Sequence, residues 1–211
     1  MKYLYIVAAA GSGKRMGLGK PKQFLEYDGE PIFIKTLKTI ENSKLVDEII
    51  VVTGESFIGD VKDYCREFGI TKLKSVVSGG NEEYIIAVQD GVRPFIKNEF
   101  IEKAYEELIN NKDLDGVVTA VAVKDTVKVV DGNGFIVDTP PRNTLFLAQT
   151  PQVFRGKILK EAYETAHEEE FVGTDDSSLV ERINGRVKLI DGSYDNIKIT
   201  TVEDLIYLKS N

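Results

Sequence analysis

Apolar residues recur along this chain in two periods. Residues 3–7, 48–53, 84–88 and 116–123 are nearly continuous apolar runs, rich in Val and Ile. That is the pattern of strands buried on both faces of a parallel sheet. Between and after them the period becomes that of a helix with one buried face. Ile34, Leu37 and Ile40 mark such a face after Pro31, which suits the first position of a helix. Residues 56–68 mark another, ended by Gly69, and Ile101, Ala104, Tyr105, Leu108 and Ile109 a third. Ile158, Leu159, Ala162 and Tyr163 place a fourth over 155–167, and 175–184 reads as a short fifth before Gly185. Short strands are predicted at 75–78, 187–190 and 196–200, and Thr200 with Glu203 predicts a capping box for a final helix. Strands and helices alternating in this way predict an α/β fold with a doubly wound, mostly parallel sheet.

Two stretches do not fit a plain alternation. Residues 126–130 and 135–137 flank Asp131-Gly132-Asn133-Gly134, a strong hairpin turn. Pro140-Pro141-Arg142 then breaks the pattern before an extended run at 145–149. A hairpin with so little to pack against is marginal alone, so it is predicted to lie on a second subunit as a protruding dimerisation arm. The other irregularity is one of length. Parallel neighbours need a crossover of about a dozen residues or more, yet only Gly79-Gly80-Asn81-Glu82-Glu83 separates the strand ending at Ser78 from the one starting at Tyr84. Either these strands are not parallel neighbours, or a segment expected between Glu82 and Glu83 is absent; we prefer the second.

The 211 residues suit one domain, taken as 1–211 with the arm at about 124–148. A formal net charge of −7 argues against a general affinity for nucleic acid or anionic membrane. No apolar run is long enough to cross a bilayer and the start does not read as a cleavable leader, so a cytoplasmic protein is expected. The single cysteine, Cys65, excludes an intrachain disulfide and reads as a buried, inert thiol in a helix. The single histidine, His167, falls on a polar helix end, which leaves neither a histidine-based zinc site nor a Ser-His-Asp triad.

Against that acidic background the first loop stands out. The opening strand runs into Ala8-Ala9-Ala10 and then into glycines at 11, 13, 17 and 19, interleaved with Lys14, Arg15, Lys20 and Lys22. Small residues let the main chain lie close to a ligand, and glycine lets several N–H groups converge. With cations beside them, such groups suit a polyphosphate. A Walker loop requires Gly-x-x-x-x-Gly-Lys-Ser/Thr, but alignment on Gly13-Lys14 puts Ala8 first and Arg15 last. A dinucleotide fingerprint requires a glycine where Met16 stands, and its acidic residue comes too late, at Glu55. Ala9-Ala10-Gly11-Ser12-Gly13-Lys14-Arg15-Met16 followed by Pro21-Lys22-Gln23 instead resembles the signature loop of nucleotide-sugar-type nucleotidyltransferases.

Five more blocks follow: Asp90-Gly-Val-Arg-Pro94, Val123-Lys-Asp-Thr126, Gln149-Thr-Pro-Gln152, Gly173-Thr-Asp-Asp176 and Asn196-Ile-Lys-Ile-Thr200. Together, and in this order, they resemble the cytidylyltransferase family that converts 2-C-methyl-D-erythritol 4-phosphate to its CDP derivative in non-mevalonate isoprenoid synthesis. The resemblance implies a Rossmann-like fold, a homodimer through the arm, and Mg²⁺ or another divalent cation. It also implies attack of the substrate phosphate on the α-phosphorus of CTP with loss of pyrophosphate. Such a step needs in-line positioning and charge neutralisation rather than covalent help. By the same resemblance, Arg15 and Lys22 stabilise the transition state. Ala9, Ala10, Gly11, Gly13, Gly79 and Gly80 fall on the nucleotide side. Asp90 falls near the methylerythritol hydroxyls and the metal, and Arg93 near the substrate. Arg142 and Lys198 match the cations that orient the substrate phosphate, with Arg142 and Thr126 reaching the partner's site from the arm. Thr150 and Thr174 also match substrate positions. Plainer readings stand beside these: surface cations for Arg15 and Lys22, a turn residue for Asp90, an interface ion pair for Arg142, caps or turns for the two threonines.

The chain departs from the family pattern in three places. The Gly-Gly-x-x-Arg-x-x-Ser-Val segment that recognises cytosine and ribose stops after Gly79-Gly80-Asn81-Glu82. Gln89 stands where a histidine is usual, and Pro140-Pro141 precede Arg142. Two rivals therefore remain in view. One is the sister enzyme that makes CDP-ribitol from ribitol 5-phosphate for wall teichoic acid; the other is a non-catalytic nucleotide-binding module.

Overall fold

The long apolar runs become the centre of one sheet. In a computed structural model of the chain, residues 2–9, 22–74 and 84–209 are described, with the main chain alone for Lys22, Glu55 and Lys209. In chain order the elements are β1 (Lys2–Ala8), β2 (Glu26–Tyr27), β3 (Glu30–Pro31), α1 (Ile32–Asn42), β4 (Glu48–Val52), α2 (Ile58–Glu67), β5 (Tyr84–Asp90) and α3 (Asn98–Asn110). There follow β6 (Gly116–Ala122), β7 (Val129–Val130), β8 (Ile136–Asp138), β9 (Phe146–Arg155), α4 (Gly156–Glu168), α5 (Asp176–Arg182), β10 (Val187–Asp191) and α6 (Ile206–Lys209). The main sheet has the order β10-β6-β9-β5-β1-β4. It is parallel except where β9 inserts antiparallel between β5 and β6.

Alternation along each strand builds a core on both faces. Tyr3, Tyr5 and Val7 of β1 point one way, into a cluster with Phe33, Ile34 and Leu37 of α1, Val61 and Cys65 of α2, and Ile101, Ala104 and Leu108 of α3. Leu4 of β1, Ile50 of β4 and Ile86 of β5 point the other way, against Leu159 and Ala162 of α4 and Leu179 and Val180 of α5. The doubly wound expectation is therefore met, and Cys65 lies buried, its thiol pushed up to about 11 by desolvation.

The structure differs from the sequence reading in several places. β9 runs for ten residues, well past 149, through a cis Thr150–Pro151 peptide. A proline inside an apolar run normally argues against an inner strand. Here the β6–β9 register shifts between Val118 and Ala120, and Thr119 Oγ1 donates to the Pro151 carbonyl at 2.9 Å. Residues 196–200 form no strand; buried Asn196 and Ile199 hold them instead. The expected Thr200–Glu203 capping box does not form: the stretch that begins at Glu203 has no side-chain cap, and the Asp204 carboxylate reaches back to accept from Thr200 N–H (2.7 Å), Thr201 N–H (2.8 Å) and Thr200 Oγ1 (2.9 Å). A small hairpin, β2–β3, turns on Asp28 and Gly29 at φ 52° and 79°, an Asp-Gly signal of the kind that two-residue hairpins need.

Leu73 bridges in parallel to Ile49, so residues 72–74 run along the outer edge of β4, whereas β5 pairs with β1 on that strand's other side. These two segments are thus not neighbours. The strand expected at 75–78, the Gly79-Gly80 turn and the segment expected near Glu82 lie outside the described residues. In the segment read as an arm, residues 129–138 form a separate two-stranded sheet, β7–β8, shorter than the strands read at 126–130 and 135–137.

Candidate active site

In an open parallel sheet the carboxyl ends of the strands carry the ligand crevice. β5 ends at Asp90, beside Ala8 at the end of β1. Gly91 follows, and a Cβ there would come within 2.9 Å of the Ala8 carbonyl oxygen and 3.2 Å of the Ala9 Cβ. Glycine thus lets the turn after β5 close onto the β1 loop, and Gly91 N–H donates to the Ala8 carbonyl at 2.8 Å.

The Asp90 carboxylate is held at both oxygens. Arg93 Nε donates to Oδ2 at 3.0 Å and Lys198 Nζ to Oδ1 at 2.9 Å, although Lys198 is 108 residues further along the chain. The Asp90 N–H donates to Thr150 Oγ1 at 3.1 Å, which fixes the hydroxyl beside it. Arg93 is buried, and its Nη1 also donates to the Asn196 carbonyl at 2.6 Å. Burial draws its guanidinium below the ordinary value while Asp90 opposes that shift.

The opposite wall comes from the start of α5. Asp175 caps that helix by accepting from Ser178 N–H at 2.9 Å. Gln152 of β9 braces it: Nε2 donates to Asp175 Oδ2 at 2.8 Å, and Oε1 accepts from Ser177 N–H at 3.0 Å. Asp176 accepts a short hydrogen bond from the Tyr163 hydroxyl. Burial raises the Asp176 carboxyl above the usual carboxylate range, and the Tyr163 bond pulls against it.

Asp90, Arg93, Thr150, Thr174 and Lys198 all line a single cavity of about 460 Å³, together with Gln152, Asp175 and Asp176. Five expected substrate residues are thus brought together. Thr126 and Arg142 are not among the lining residues; both are exposed on the arm, where Arg142 Nη1 donates to the Lys124 carbonyl at 2.7 Å. Ala9 is buried directly after β1, its carbonyl accepting from Gln23 Nε2 at 2.7 Å and Thr53 Oγ1 at 3.2 Å. Lys22 opens a short 3₁₀ turn over Lys22–Phe24, at the base of the loop. Ala10, Gly11, Gly13, Arg15, Gly79 and Gly80 lie outside the described residues.

A family model for 2-C-methyl-D-erythritol 4-phosphate cytidylyltransferase matches residues 3–209. The chain belongs to this family. A cytidylyltransferase of that description from Fusobacterium nucleatum is 43% identical over 223 residues, covering 99% of this chain and 96% of the relative. One from Geotalea uraniireducens is 42% identical over 236 residues, covering 100% and 98%. Both alignments are longer than the 211 residues of this chain, so these relatives carry residues with no counterpart in it. Among solved structures, the 4-diphosphocytidyl-2C-methyl-D-erythritol synthase of Anaerococcus prevotii is similar with a TM-score of 0.83 and 32% identity, covering 99% of this chain and 95% of that one. The cytidylyltransferase of Francisella tularensis gives a TM-score of 0.77 at 27% identity, covering 99% of each chain.

Sequence reasoning passed over Gln152 and Asn196, although both lie in quoted blocks of this cytidylyltransferase chain. Their signal was being polar inside segments otherwise destined for burial: Gln152 is 3% exposed and Asn196 0%. Buried amides need partners, and the partners here belong to the site.

Proposed function

We propose that this chain transfers the cytidylyl group of CTP to 2-C-methyl-D-erythritol 4-phosphate, releasing pyrophosphate, as a step in isoprenoid precursor synthesis. The observation that carries the reading is the meeting of Asp90 and Lys198 in one cavity at the carboxyl ends of β1 and β5, in a chain whose residues 3–209 match the family. Lys198 supplies a cation for the substrate phosphate, and Asp90 with Thr150 and Thr174 supplies polar groups for the hydroxyls. Arg15 and Lys22 are assigned, by the family resemblance, to the charge that builds on the α-phosphorus. Ala9, Ala10, Gly11 and Gly13, with Gly79 and Gly80, are assigned to nucleotide binding by the family resemblance.

A divalent cation fits this donor set in one way. Among the described residues no group of three or more metal-ligating side chains occurs. Mg²⁺ is commonly held by one or two carboxylates with substrate phosphates completing the shell. Asp90 is placed to be such a carboxylate, and the bound cation would offset triphosphate charge.

The arm supports a homodimer. Phe135, Ile136 and Val137 are each at least 61% exposed on β8 and its turn, and a second copy would cover them while carrying Arg142 and Thr126 to its neighbour's cavity. We take residues 1–211 as one catalytic domain with this arm at about 124–148. No helix among the described residues is long and apolar enough to cross a membrane, and we assign the reaction to the cytoplasm, where its nucleotide substrate is made.

The test is pyrophosphate release by the purified chain given CTP, a divalent cation and either methylerythritol phosphate or ribitol 5-phosphate. Turnover with the first and not the second is expected; preference for ribitol 5-phosphate would overturn the assignment. CTP binding with no release from either would leave only a nucleotide-binding module.

A further inference from the structure

The two cations on Asp90 differ in every other respect. The Lys198 side chain is 43% exposed, whereas that of Arg93 is 8% exposed. An exposed ion pair is weak and easily exchanged for another anion; a buried, charge-assisted bond is not. Lys198 also arrives on a segment that no sheet ladder holds. That segment is pinned on either side of it. Asn196 Nδ2 donates to the Thr150 carbonyl at 3.0 Å and to Gln149 Oε1 at 3.3 Å, and Ile199 N–H donates to the Val92 carbonyl at 2.9 Å. Arg93 joins this pinned segment to Asp90, through Nη1 on the Asn196 carbonyl and Nε on Oδ2.

We infer that Arg93 is a positioning residue that holds Asp90 and the Asn196–Ile199 segment together, so that Lys198 can leave Asp90 for an incoming phosphate while that carboxylate keeps a partner. The planar guanidinium is required because it donates in two fixed directions at once. An ammonium on a flexible stem cannot reproduce that fork. Buried with these two donors committed, Arg93 acts on the substrate through its neighbours. The identity of the phosphate rests on the functional reading above; the tether does not.

Two measurements on the full chain test this. In Arg93→Gln, hydrogen exchange at the Ile197 and Ile199 amides should rise about tenfold or more, with β1 amides unchanged. Unchanged exchange at both would overturn the tether, whatever the enzyme does. In kinetics, Arg93→Gln should raise KM for methylerythritol phosphate about tenfold and leave KM for CTP within about twofold, and Arg93→Lys should recover only part of the loss. Combined with Lys198→Gln, Arg93→Gln should cost no more than about twofold beyond Lys198→Gln alone, because both act through one group. Effects that multiply would put Arg93 on the substrate itself and overturn the assignment. Full rescue by Arg93→Lys, which also guards against a folding defect in the glutamine variant, would do the same. A wild-type chain that turns over no methylerythritol phosphate would sink the functional reading and leave the tether to the exchange result.

Discussion

The cavity floor and the arm hold their expected substrate residues in opposite ways. On the floor, Asp90, Thr150 and Lys198 come from three distant parts of the chain and are cross-linked by hydrogen bonds through Arg93 and Asn196. On the arm, Arg142 bonds only eighteen residues back, to the Lys124 carbonyl, and Lys128 Nζ donates to Thr139 Oγ1 within the same hairpin. The floor is braced across the chain, whereas the arm turns Phe135, Ile136 and Val137 outward and rests on its own chain near its base, where Lys124 Nζ lies 3.5 Å from the centre of the Tyr194 ring. A two-stranded ribbon of this kind is marginal in water. The contrast separates a cluster braced by long-range bonds from a hairpin braced by short-range ones, and the second subunit proposed above would give that hairpin a surface to rest on.

The sharpest way to break that contrast is complementation. Lys198→Ala and Arg142→Ala should each lower turnover about 100-fold as homodimers. A refolded equal mixture should recover about a quarter of wild-type turnover, because half of the dimers are mixed and one of their two sites is intact. Recovery of nothing would place Arg142 at its own chain's cavity. Next in size, Phe135→Lys with Ile136→Lys should convert a dimer to a monomer in sedimentation and lower turnover at least about tenfold, while the stability of the remaining fold moves by no more than about 0.5 kcal/mol. A dimer that survives would count against the arm as the interface.

The floor should respond in stability where the arm does not. Asn196→Ala removes a buried amide and strands the Thr150 carbonyl, at a cost of about 1–3 kcal/mol in urea unfolding. A loss no greater than that of the arm variant would mean the brace is dispensable. The smallest effect is at Asp176. Its folded-state carboxyl is raised above the unfolded value by burial. Its contribution is therefore fully present below the ordinary aspartate range and is lost as pH rises through the raised value. Stability of the wild type relative to Asp176→Asn should accordingly fall as pH rises from about 4 through the raised value. A rise over that interval would show the charged form to be favoured, against the burial argument.

How much was legible beforehand depended on the range of the interaction. The runs at 3–7, 48–53, 84–88 and 116–123, and the four longer helices, were readable because burial on one or both faces leaves a local period. The blocks Asp90–Pro94, Gln149–Gln152 and Asn196–Thr200 were readable as blocks. What they do to one another was not. Residues 196–200 look like a strand because Ile197 and Ile199 alternate, yet Ile199 serves a small separate cluster with Ile32, Val92 and Leu208 rather than a ladder. β9 runs on past 149 although proline normally argues against an inner strand, because it bulges there: Gln149, Thr150 and Pro151 stand opposite the single Thr119 of β6, a register set by the neighbouring strand.

By itself, then, the sequence settled the alternation of strands and helices and the family whose blocks it carries, since each of these is written in residues near one another along the chain. The tertiary structure alone decided that Lys198 meets Asp90, that Arg93 is buried between Asp90 and Asn196, and that Gln152 steadies the start of α5. Those are contacts between segments tens of residues apart, and a hydrogen bond of that range depends on which strand lies beside which, a fact that no local pattern records.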